Sequence, residues 1–292
     1  MTTACTKVLI TGATDGLGKA LAQELTARGA TVLLHGRSTE RLATTERELA
    51  LATHGVARSY RADFASLSEV RRLAHDVGRD HPRIDVLVNN AGIGPGVPQG
   101  PREVSADGHE LRFAVNYLAP FLLTTLLLPC LLRSQRARIV NVASGAQQDI
   151  DFDDVMLKRS YDGWIAYKQS KLAEILFTLE LAQRLLNQGM THLTVNVLHP
   201  ASLMDTKLVQ EYFGHAQRSV LDGVRAVLPL VLAAELEGVS GVYFQGSRPA
   251  RARDQAYDTV ARRRLWDLSE QLVAGETLDT RNHALGMTAA SP

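Results

Sequence analysis

Tyr167 and Lys171 stand four residues apart in the segment YKQSK, which continues as an apolar helical pattern to Leu186. Residues at this spacing project from the same side of a helix, so the phenol and the ammonium group are expected to face one space. A free tyrosine has a pKa of about 10, and a neighbouring ammonium group lowers it by stabilising the phenolate. The pair is therefore a candidate for proton transfer at neutral pH, with a surface pair that performs no chemistry as the alternative.

The sequence TGATDGLG at residues 11–18 follows the first predicted strand, residues 7–11, and opens the first predicted helix, residues 17–28. Glycine is needed where a backbone turns tightly and approaches a pyrophosphate, and a helix that starts there offers its positive end to the phosphates. Gly12, Gly16 and Gly18, spaced as GxxxGxG, therefore predict a dinucleotide site. A tight turn without a ligand is the alternative.

The end of the second predicted strand, residues 31–34, bears on the choice of nicotinamide cofactor. NAD-selective sites place Asp or Glu after this strand to bind the ribose 2′-hydroxyl, whereas this chain has Arg37 and Ser38. An arginine pairs well with a 2′-phosphate and a serine adds a hydrogen bond, so the sequence favours NADP(H). NAD(H) is the alternative cofactor, since no basic residue lies within 12–18. The alternative for Arg37 is a solvated loop arginine that binds no cofactor.

Short apolar runs alternate with helical patterns along the rest of the chain. The remaining predicted elements are strands at 84–88, 139–142 and 193–198 and helices at 40–52 and from a capping-box pattern at 66–69. Runs that are apolar throughout are typical of strands buried on both faces. We therefore predict a single α/β domain over 1–280, with one doubly wound, Rossmann-type parallel sheet and helices on both faces, and a loose tail over 281–292.

The composition argues against several classes of protein. The 292 residues carry 32 Lys and Arg against 31 Asp and Glu, a net charge of +1, which gives no basic field for nucleic acid. Cys5 and Cys130 are too few for a disulfide framework or a thiolate metal site. Because the first residues, MTTACTKVLI, lack the pattern of a signal peptide, a cytoplasmic protein is expected.

One apolar stretch, residues 115–132, has nearly the length of a membrane span. It contains Asn116 and two prolines and is followed by Arg133. A buried helix is therefore predicted here, rather than a membrane span.

Together these motifs resemble the short-chain dehydrogenase/reductase superfamily over about residues 5 to 275. The elements that carry the resemblance are, in chain order, TGATDGLG (11–18), Asp63, NNAG (89–92), Asn116, Ser144, YKQSK (167–171), Asn196 and Pro200. The long interval between Ser144 and Tyr167 resembles the retinol dehydrogenase-like branch and its bacterial relatives.

The resemblance implies a catalytic role for four residues. Tyr167 would be the proton donor to a carbonyl that the Ser144 hydroxyl polarises. Lys171 would hold the nicotinamide ribose and stabilise the phenolate, and Asn116 would fix a water that connects Lys171 to solvent. Two hydroxyl donors aimed at the carbonyl oxygen suit a reaction in which negative charge builds up on that oxygen.

The resemblance also implies a set of cofactor contacts. Asp63 would contact the adenine, 89–92 would close over its ribose and stabilise the sheet, and Pro200 and Thr206 would bracket the nicotinamide amide. The full set of expected cofactor residues is Gly12, Thr14, Asp15, Gly16, Leu17, Gly18, Arg37, Ser38, Asp63, Phe64, Asn89, Ala91, Gly92, Tyr167, Lys171, Pro200, Ala201 and Thr206.

Two segments are expected to shape the substrate pocket. Residues 147–164 fill the long interval and should fold beside the substrate, with a surface excursion as the alternative; their aspartates are taken as a solvated acidic loop, so no metal site is predicted. The apolar side chains expected to line the pocket from 202–232 are Leu203, Met204, Tyr212, Phe213, Val220, Val227 and Leu228. Such a lining suits a mid-sized, largely apolar carbonyl compound.

The chain is therefore predicted to be an NADP(H)-dependent oxidoreductase that reduces a ketone or aldehyde, or oxidises the matching alcohol. A non-catalytic NADP(H)-binding regulator is the alternative, although such a protein would be expected to lose Tyr167 or Lys171. A dehydratase or epimerase is disfavoured by the short part after residue 200. The apolar helices near 117–132 and 167–186 are expected to pair with a second copy in a homodimer or homotetramer, with a monomer as the alternative.

Overall fold

The computed structural model describes residues 6–52 and 55–274, so Cys5 and the tail predicted at 281–292 lie outside the described residues. The strands in these ranges are β1 (Lys7–Ile10), β2 (Thr31–Gly36), β3 (Val56–Arg61), β4 (Val86–Asn89), β5 (Ala137–Val142), β6 (Leu193–His199), β7 (Tyr243–Gln245) and β8 (Arg248–Pro249). They form one sheet in the order β3-β2-β1-β4-β5-β6-β7-β8.

The sheet is parallel from β3 to β7, and only the two-residue β8 at its edge runs antiparallel to its neighbour, among the strands described. The strand order reverses between β1 and β4, which lie side by side although β2 and β3 intervene in the chain. In open parallel sheets such a reversal leaves a crevice at the carboxyl ends of the strands, where ligands bind. The doubly wound α/β fold is confirmed.

Helices cover both faces of this sheet. The helices of the described residues are α1 (Gly16–Ala27), α2 (Thr39–Ala52), α3 (Leu67–Asp80), α4 (Leu111–Phe113), α5 (Ala119–Leu131), α6 (Gly163–Asn187), α7 (Lys207–Phe213), α8 (Val220–Leu232) and α9 (Thr259–Val273). Buried side chains of α1, α2 and α8 form the core on one face, and those of α3, α5, α6 and α9 form the core on the other.

The apolar stretch predicted to be a buried helix consists of α4, a π-helical turn at Ala114–Leu118 and α5. Together they form a helical segment, Leu111–Leu131, that is long and apolar enough to cross a membrane, but 89% of its most apolar window is buried in the described structure. It packs between α3 and α6. The segment is therefore a core helix of this domain.

The C-terminal helix α9 covers the outer side of α5 and α6. Trp266 of α9 is 1% exposed, stacks on Phe177 at 5.9 Å and meets Phe121 edge-on at 5.2 Å. The hydroxyl groups of Tyr117 and Ser269 form a hydrogen bond, with 2.6 Å between their oxygens. α9 thus covers part of the apolar surface of α5 and α6, the helices that were predicted to pair with a second copy. The oligomeric state stays a prediction.

Local details around β3 and α3 differ from the sequence-based expectation. The strand β3 (VARSYR) was not predicted because it lies at the sheet edge and is only half-buried, so its sequence is polar. The expected capping box is half formed: Ser66 accepts from the Glu69 amide at 3.4 Å, but the Glu69 carboxylate accepts from the Asp63 amide at 2.8 Å instead of that of Ser66.

Candidate active site

The glycine-rich turn between β1 and α1 forms a backbone cradle. Gly12 has a left-handed φ of +68°, and a Cβ there would lie 2.9 Å from the Ala91 Cα. A Cβ at Gly18 would clash with the Gly12 carbonyl oxygen, so the turn and the helix approach too closely for any side chain. α1 begins at Gly16, whose amide donates to the Asp15 carboxylate at 2.8 Å.

Asn90 ties this cradle to the end of β4. Its side-chain amide donates to the carbonyl oxygen of Thr11 at 2.9 Å, and the Thr11 hydroxyl accepts from the amides of Asn90 and Ala91, both at 2.9 Å. These bonds hold the loop after β4 against the glycine turn. Asn90 lies within 89–92, the segment predicted to close over the adenine ribose, but it was not among the individually predicted cofactor residues.

Asn89 turns away from the crevice and into the core. Its side chain is 1% exposed and donates to the Thr124 hydroxyl at 2.9 Å and to the Asn141 side-chain oxygen at 2.8 Å. Asn141 in turn donates to Thr178 at 2.7 Å. Of the two roles expected for this segment, the side chain of Asn89 therefore serves the cohesion of the sheet with α5 and α6.

The end of β2 brings cations to the glycine turn. Arg37 is exposed, and Ser38 accepts a hydrogen bond from the Arg41 amide at 3.3 Å. The Arg41 guanidinium reaches back to the Asp15 carboxylate at 2.7 Å and to the Thr14 carbonyl oxygen at 3.5 Å. Arg41 was missed by the sequence analysis, although it lies four residues after Arg37.

The buried His35 lies beneath the crevice, at the same end of β2. Its ring stacks on Phe64 at 4.3 Å, accepts from the Gly12 amide through Nδ1 at 3.4 Å and donates through Nε2 to the Ala62 carbonyl oxygen at 3.1 Å. This pattern requires the neutral imidazole. Burial lowers the pKa of His35 to about 4. Next to Phe64, the Asp63 carboxylate accepts from the Ala65 amide at 2.9 Å.

The depressed pKa of His35 predicts acid sensitivity. An unfolded histidine takes up a proton near pH 6.5 and the folded one only near pH 4, so stability from this group is complete above pH 6.5 and is lost as the pH falls through about 4. The free energy of unfolding should fall by about 3 kcal/mol across this window. In urea denaturation, His35→Gln should flatten the decline, whereas His75→Gln at an exposed position should not; an unchanged slope in His35→Gln would contradict this.

Ser144 lies just after the end of β5, and Tyr167 and Lys171 lie near the start of α6. Ser144 follows β5 and its hydroxyl accepts from the Ala146 amide at 3.1 Å. Tyr167 is 9% exposed, and the Lys171 ammonium group is buried and donates to the carbonyl oxygen of Val142, at the end of β5, at 3.0 Å. α6 is fixed in place by Asp162, which caps it by accepting from the Ile165 amide.

Asn116 lies in the π-helical turn between α4 and α5 and is fully buried. Its side-chain oxygen accepts from the Ile93 amide at 2.8 Å, and its nitrogen donates to the Ile93 carbonyl oxygen at 3.1 Å and to Ser170 at 2.9 Å. A Cβ at Gly92 would lie 3.3 Å from the Asn116 oxygen and 3.4 Å from the Lys171 nitrogen. The π-turn thus brings Asn116 and Lys171 to one stretch of backbone after β4.

The loop after β6 returns to the glycine turn. Pro200 is buried and Ala201 half-buried. Thr206 caps α7 by accepting from the Val209 amide at 3.4 Å, and its methyl group would lie 3.3 Å from a Cβ at Gly16. Thr206, one of the predicted nicotinamide-side residues, therefore lies beside the glycine turn.

The insertion over 147–164 packs against the rest of the domain on two sides. On one side Arg253 pairs with Asp149 at 2.7 Å, and Gln255 accepts from the Ile150 amide at 2.7 Å. On the other side the buried Arg112 donates to the Tyr161 hydroxyl at 3.0 Å. The insertion is thus held in place by contacts with both neighbours, unlike a surface excursion.

The acidic residues of the insertion have partners within the chain. The Asp154 carboxylate accepts from the amides of Lys158 and Arg159, both at 2.8 Å, and Arg264 pairs with Asp153 at 3.2 Å. Within residues 6–52 and 55–274, no group of three or more His, Cys, Asp or Glu side chains is placed to hold a metal ion.

Aromatic side chains stand beside Tyr167. Trp164 meets Tyr167 edge-on at 6.0 Å and Tyr212 of α7 at 6.1 Å. The Tyr212 hydroxyl accepts from the Gly96 amide at 2.9 Å, which holds α7 against the loop after β4. Tyr212 is therefore well placed for its predicted part in the pocket, whereas Trp164 was predicted only as part of the insertion.

The predicted pocket lining is wrong for Val227. It is fully buried in the core between α8, α1 and the sheet, and Val220 and Leu228 pack partly buried against the same core. The apolar pattern of α8 reflects packing against α1. The side chain of Phe213 lies outside the described part of the structure.

Comparison with known proteins agrees with this geometry. A family model described as short chain dehydrogenase matches residues 6–217. Human Retinol dehydrogenase 14 is 39% identical, over 91% of this chain and 85% of its own length. A protein of undescribed function from Mycobacterium paratuberculosis superposes with a TM-score of 0.76 at 33% identity, covering 92% of this chain and 93% of its own. A short chain dehydrogenase from Escherichia coli CFT073, complexed with NADPH, gives 0.67 at 25% identity, covering 83% and 97%.

The fold, the glycine turn and the Ser–Tyr–Lys cluster thus define an oxidoreductase, and the chain belongs to the short-chain dehydrogenase/reductase family. Within that family it belongs to the retinol dehydrogenase-like branch. Its reaction is that of a carbonyl or alcohol oxidoreductase.

Proposed function

We propose that this protein is an NADP(H)-dependent reductase of ketones or aldehydes on mid-sized, largely apolar molecules, with Tyr167 as the proton donor. The observation that supports the proposal is the hydrogen bond from the Lys171 ammonium group to the Val142 carbonyl oxygen, because it holds the helix of Tyr167 and Lys171 against the strand end that Ser144 follows.

The residues present fit a dinucleotide cofactor. The turn at Gly12 and Gly18 leaves a backbone cradle without side chains, and α1 offers its positive end there. An ammonium group has three donors, and Lys171 engages two of them with Val142 and Glu174, so that one is left for a ribose hydroxyl. When bound, the nicotinamide supplies the hydride in reduction and accepts it in oxidation.

The chain's own groups handle the charge and the proton. The Ser144 and Tyr167 hydroxyls donate to the carbonyl oxygen and stabilise the negative charge that builds up on it. Tyr167 then releases its proton to that oxygen, and the Lys171 ammonium group, one helical turn away, stabilises the phenolate that remains. Asn116, bonded to Ile93 and placed beside Lys171, lies where a water could return a proton from solvent.

The surroundings of Tyr167 support an apolar substrate. Trp164 and Tyr212 offer aromatic surface on one side, and the insertion that carries Trp164 is fixed by Arg112 and Arg253. The relatives' name, retinol dehydrogenase, points to the same chemical class. Retinaldehyde is therefore the first substrate to test, followed by other apolar aldehydes, ketones and quinones.

We expect Arg37→Ala to raise the KM for NADPH by about 10- to 100-fold, because a charge-assisted pair with a phosphate is worth about 1.5–3 kcal/mol. The KM for NADH, which lacks the 2′-phosphate, should stay unchanged. Arg41→Ala should have a smaller effect, since its guanidinium is already paired with Asp15. Arg47→Ala, which removes an exposed charge from the same helix, is the matched control; equal effects on both cofactors would contradict the NADP(H) preference.

The proposed reaction is tested by following the absorbance of NADPH and of NADH in the presence of each carbonyl compound. Oxidation of NADPH with at least one apolar carbonyl, faster than oxidation of NADH, is the expected result. A preference for NADH would overturn the assignment of Arg37. Saturable binding of NADPH with no oxidation by any compound would favour a protein that binds the cofactor without catalysis.

A further inference from the structure

A third ionisable group, Glu174, lies on the same helix as Tyr167 and Lys171. It is three residues after Lys171 and only 1% exposed, and its Oε2 accepts from the Lys171 ammonium group at 2.7 Å. Its second oxygen, Oε1, is buried with no hydrogen-bond partner among the described residues. Sequence analysis gave Glu174 no role, although a single acid within the apolar run LAEIL is a signal of this kind.

Packing alone gives no reason for this carboxyl group. A buried carboxylate loses its hydration, and burial raises the pKa of Glu174 to about 7, while the Lys171 ammonium group works against that rise. A carboxyl with an unbonded buried oxygen destabilises the fold compared with an apolar side chain of similar size. Its contact with Lys171 is what sets it apart from the rest of the helix.

The charge of Lys171 is what favours the phenolate of Tyr167. A carboxylate in contact with that ammonium group offsets its charge and so makes the phenolate less favourable. The phenol must keep its proton in order to donate it during reduction, and must lose it in order to act as the base during oxidation. The ionisation of Glu174 therefore bears on the direction in which the site works best at neutral pH.

The described charged groups on and around α6 have other partners. These are Arg184 and Arg262 with Glu180, Arg112 with Glu103 and Glu110, Arg138 with the carbonyl oxygens of Pro229, Leu230 and Ala233, Arg264 with Asp153, Glu270 with Trp266, and Lys168 over the ring of Trp164. On β6, burial lowers the pKa of His199, which leaves it neutral at neutral pH. Lys171 is thus the charged neighbour of Glu174 in the described structure.

We propose that Glu174 is a positioning residue that holds Lys171 and offsets its charge, and that this contact tunes the enzyme for reduction. This inference rests on the proposed function, since it assumes that Tyr167 exchanges the proton. It predicts that the effect of Glu174 is seen in the pH profile more than in the maximal rate.

We expect Glu174→Gln to leave Lys171 unopposed and to move the pH midpoint of both activities down by about one unit. For reduction, kcat/KM should begin to fall at a lower pH than in the wild type. At pH values above both midpoints it should be up to about tenfold lower than the wild-type value. Oxidation of the matching alcohol, which needs the phenolate, should gain by up to about tenfold at pH values below both midpoints. The measurement is kcat/KM against pH in both directions, with NADPH and with NADP⁺.

Two variants separate this role from a merely structural one. Glu180→Gln removes another buried carboxylate of α6, which pairs with Arg184 and Arg262, and should leave both midpoints in place. Glu174→Asp keeps the charge and should hold the midpoint near that of the wild type. A Glu174→Gln variant that is folded and active with unmoved midpoints would overturn the inference.

A measurement without turnover keeps the inference separate from the proposed function. Ultraviolet absorbance titration of the phenolate, as the difference between the protein and its Tyr167→Phe variant, follows Tyr167 alone. The same difference titration, with Glu174→Gln introduced into both proteins, should show the phenolate at lower pH. An unchanged titration would overturn the role of Glu174 even in an active enzyme. If no carbonyl compound is reduced but the titration shifts, the proposed function fails and the coupling stands.

If Glu174→Gln does not fold, the pH dependence of stability serves instead. Because the folded-state pKa of Glu174 is raised, its stabilising effect is complete below pH 4.5 and is lost as the pH rises through about 7. In urea denaturation, Glu174→Asp should keep such a decline, whereas Glu174→Leu should lack it. A decline that persists in Glu174→Leu would mean that another group titrates there, and would contradict the raised pKa of Glu174.

Discussion

Replacing Tyr167 with phenylalanine is expected to lower kcat for carbonyl reduction by at least about a thousandfold, while NADPH still binds with nearly unchanged affinity. The variant removes the proton donor and one of two hydrogen bonds to the carbonyl oxygen, and each is worth about a hundredfold or more. The ring, which is buried and meets Trp164 edge-on, keeps its packing. The measurement is kcat and KM for the best carbonyl substrate, with NADPH binding followed separately by calorimetry.

Tyr117→Phe is the matched control for this variant. It removes a buried hydroxyl that bonds Ser269 on α9, outside the proposed reaction, and should affect stability more than kcat. Near wild-type turnover in Tyr167→Phe would mean that another group supplies the proton. Loss of NADPH binding would mean that the hydroxyl serves the cofactor site and not the chemistry.

Replacing Trp266 with alanine should lower the free energy of unfolding by about 3–5 kcal/mol, the usual cost of removing a buried aromatic side chain. Besides its contacts with Phe121 and Phe177, the ring lies 4.2 Å from the Arg184 guanidinium, and its nitrogen donates to Glu270 at 2.9 Å. Val260→Ala on the same helix, where the side chain is 70% exposed, should cost less than about 0.5 kcal/mol.

Urea denaturation at neutral pH, with the slope checked for each variant, measures both changes. A cost below about 1 kcal/mol for Trp266→Ala would show that α9 contributes little to the described core. The expected large cost would instead tie α9 to α6, the helix that carries Tyr167 and Lys171. Folded Trp266→Ala should then bind NADPH less tightly at temperatures close to its melting point.

The sequence predicts the centre of the sheet better than its edges. β1, β4, β5 and β6 are buried on both faces, and continuous apolar runs mark them. β3 at one edge is polar, and β7 and β8 at the other are only three and two residues long, so no pattern identifies them. Strands at an edge are defined by their neighbours in space more than by their own residues.

The candidate site also has features that the sequence predicts and features that it does not. Sequence motifs predict Tyr167, Lys171, Ser144 and Asn116 as one catalytic set, and this set stays a prediction. Side-chain directions over longer distances could not be predicted. Arg41 folds back onto Asp15 and Asn89 turns into the core.

Glu174 and Val227 show what a one-dimensional pattern leaves out. Glu174 interrupts an apolar run, and only the fold shows that it contacts Lys171. Val227 belongs to an apolar helix face that packs on α1 and not on the pocket. A pattern of apolar residues reports that a face is buried and not what covers it.

The most direct test is deuterium transfer from NADPH labelled at C4 of the nicotinamide to retinaldehyde and to a panel of apolar ketones. The products of the wild type and of Tyr167→Phe are compared by mass spectrometry. The account predicts an alcohol that carries one deuterium on the former carbonyl carbon, formed by the wild type and lost in the variant. An alcohol formed equally by both proteins, or none from any compound although NADPH binds, would contradict it.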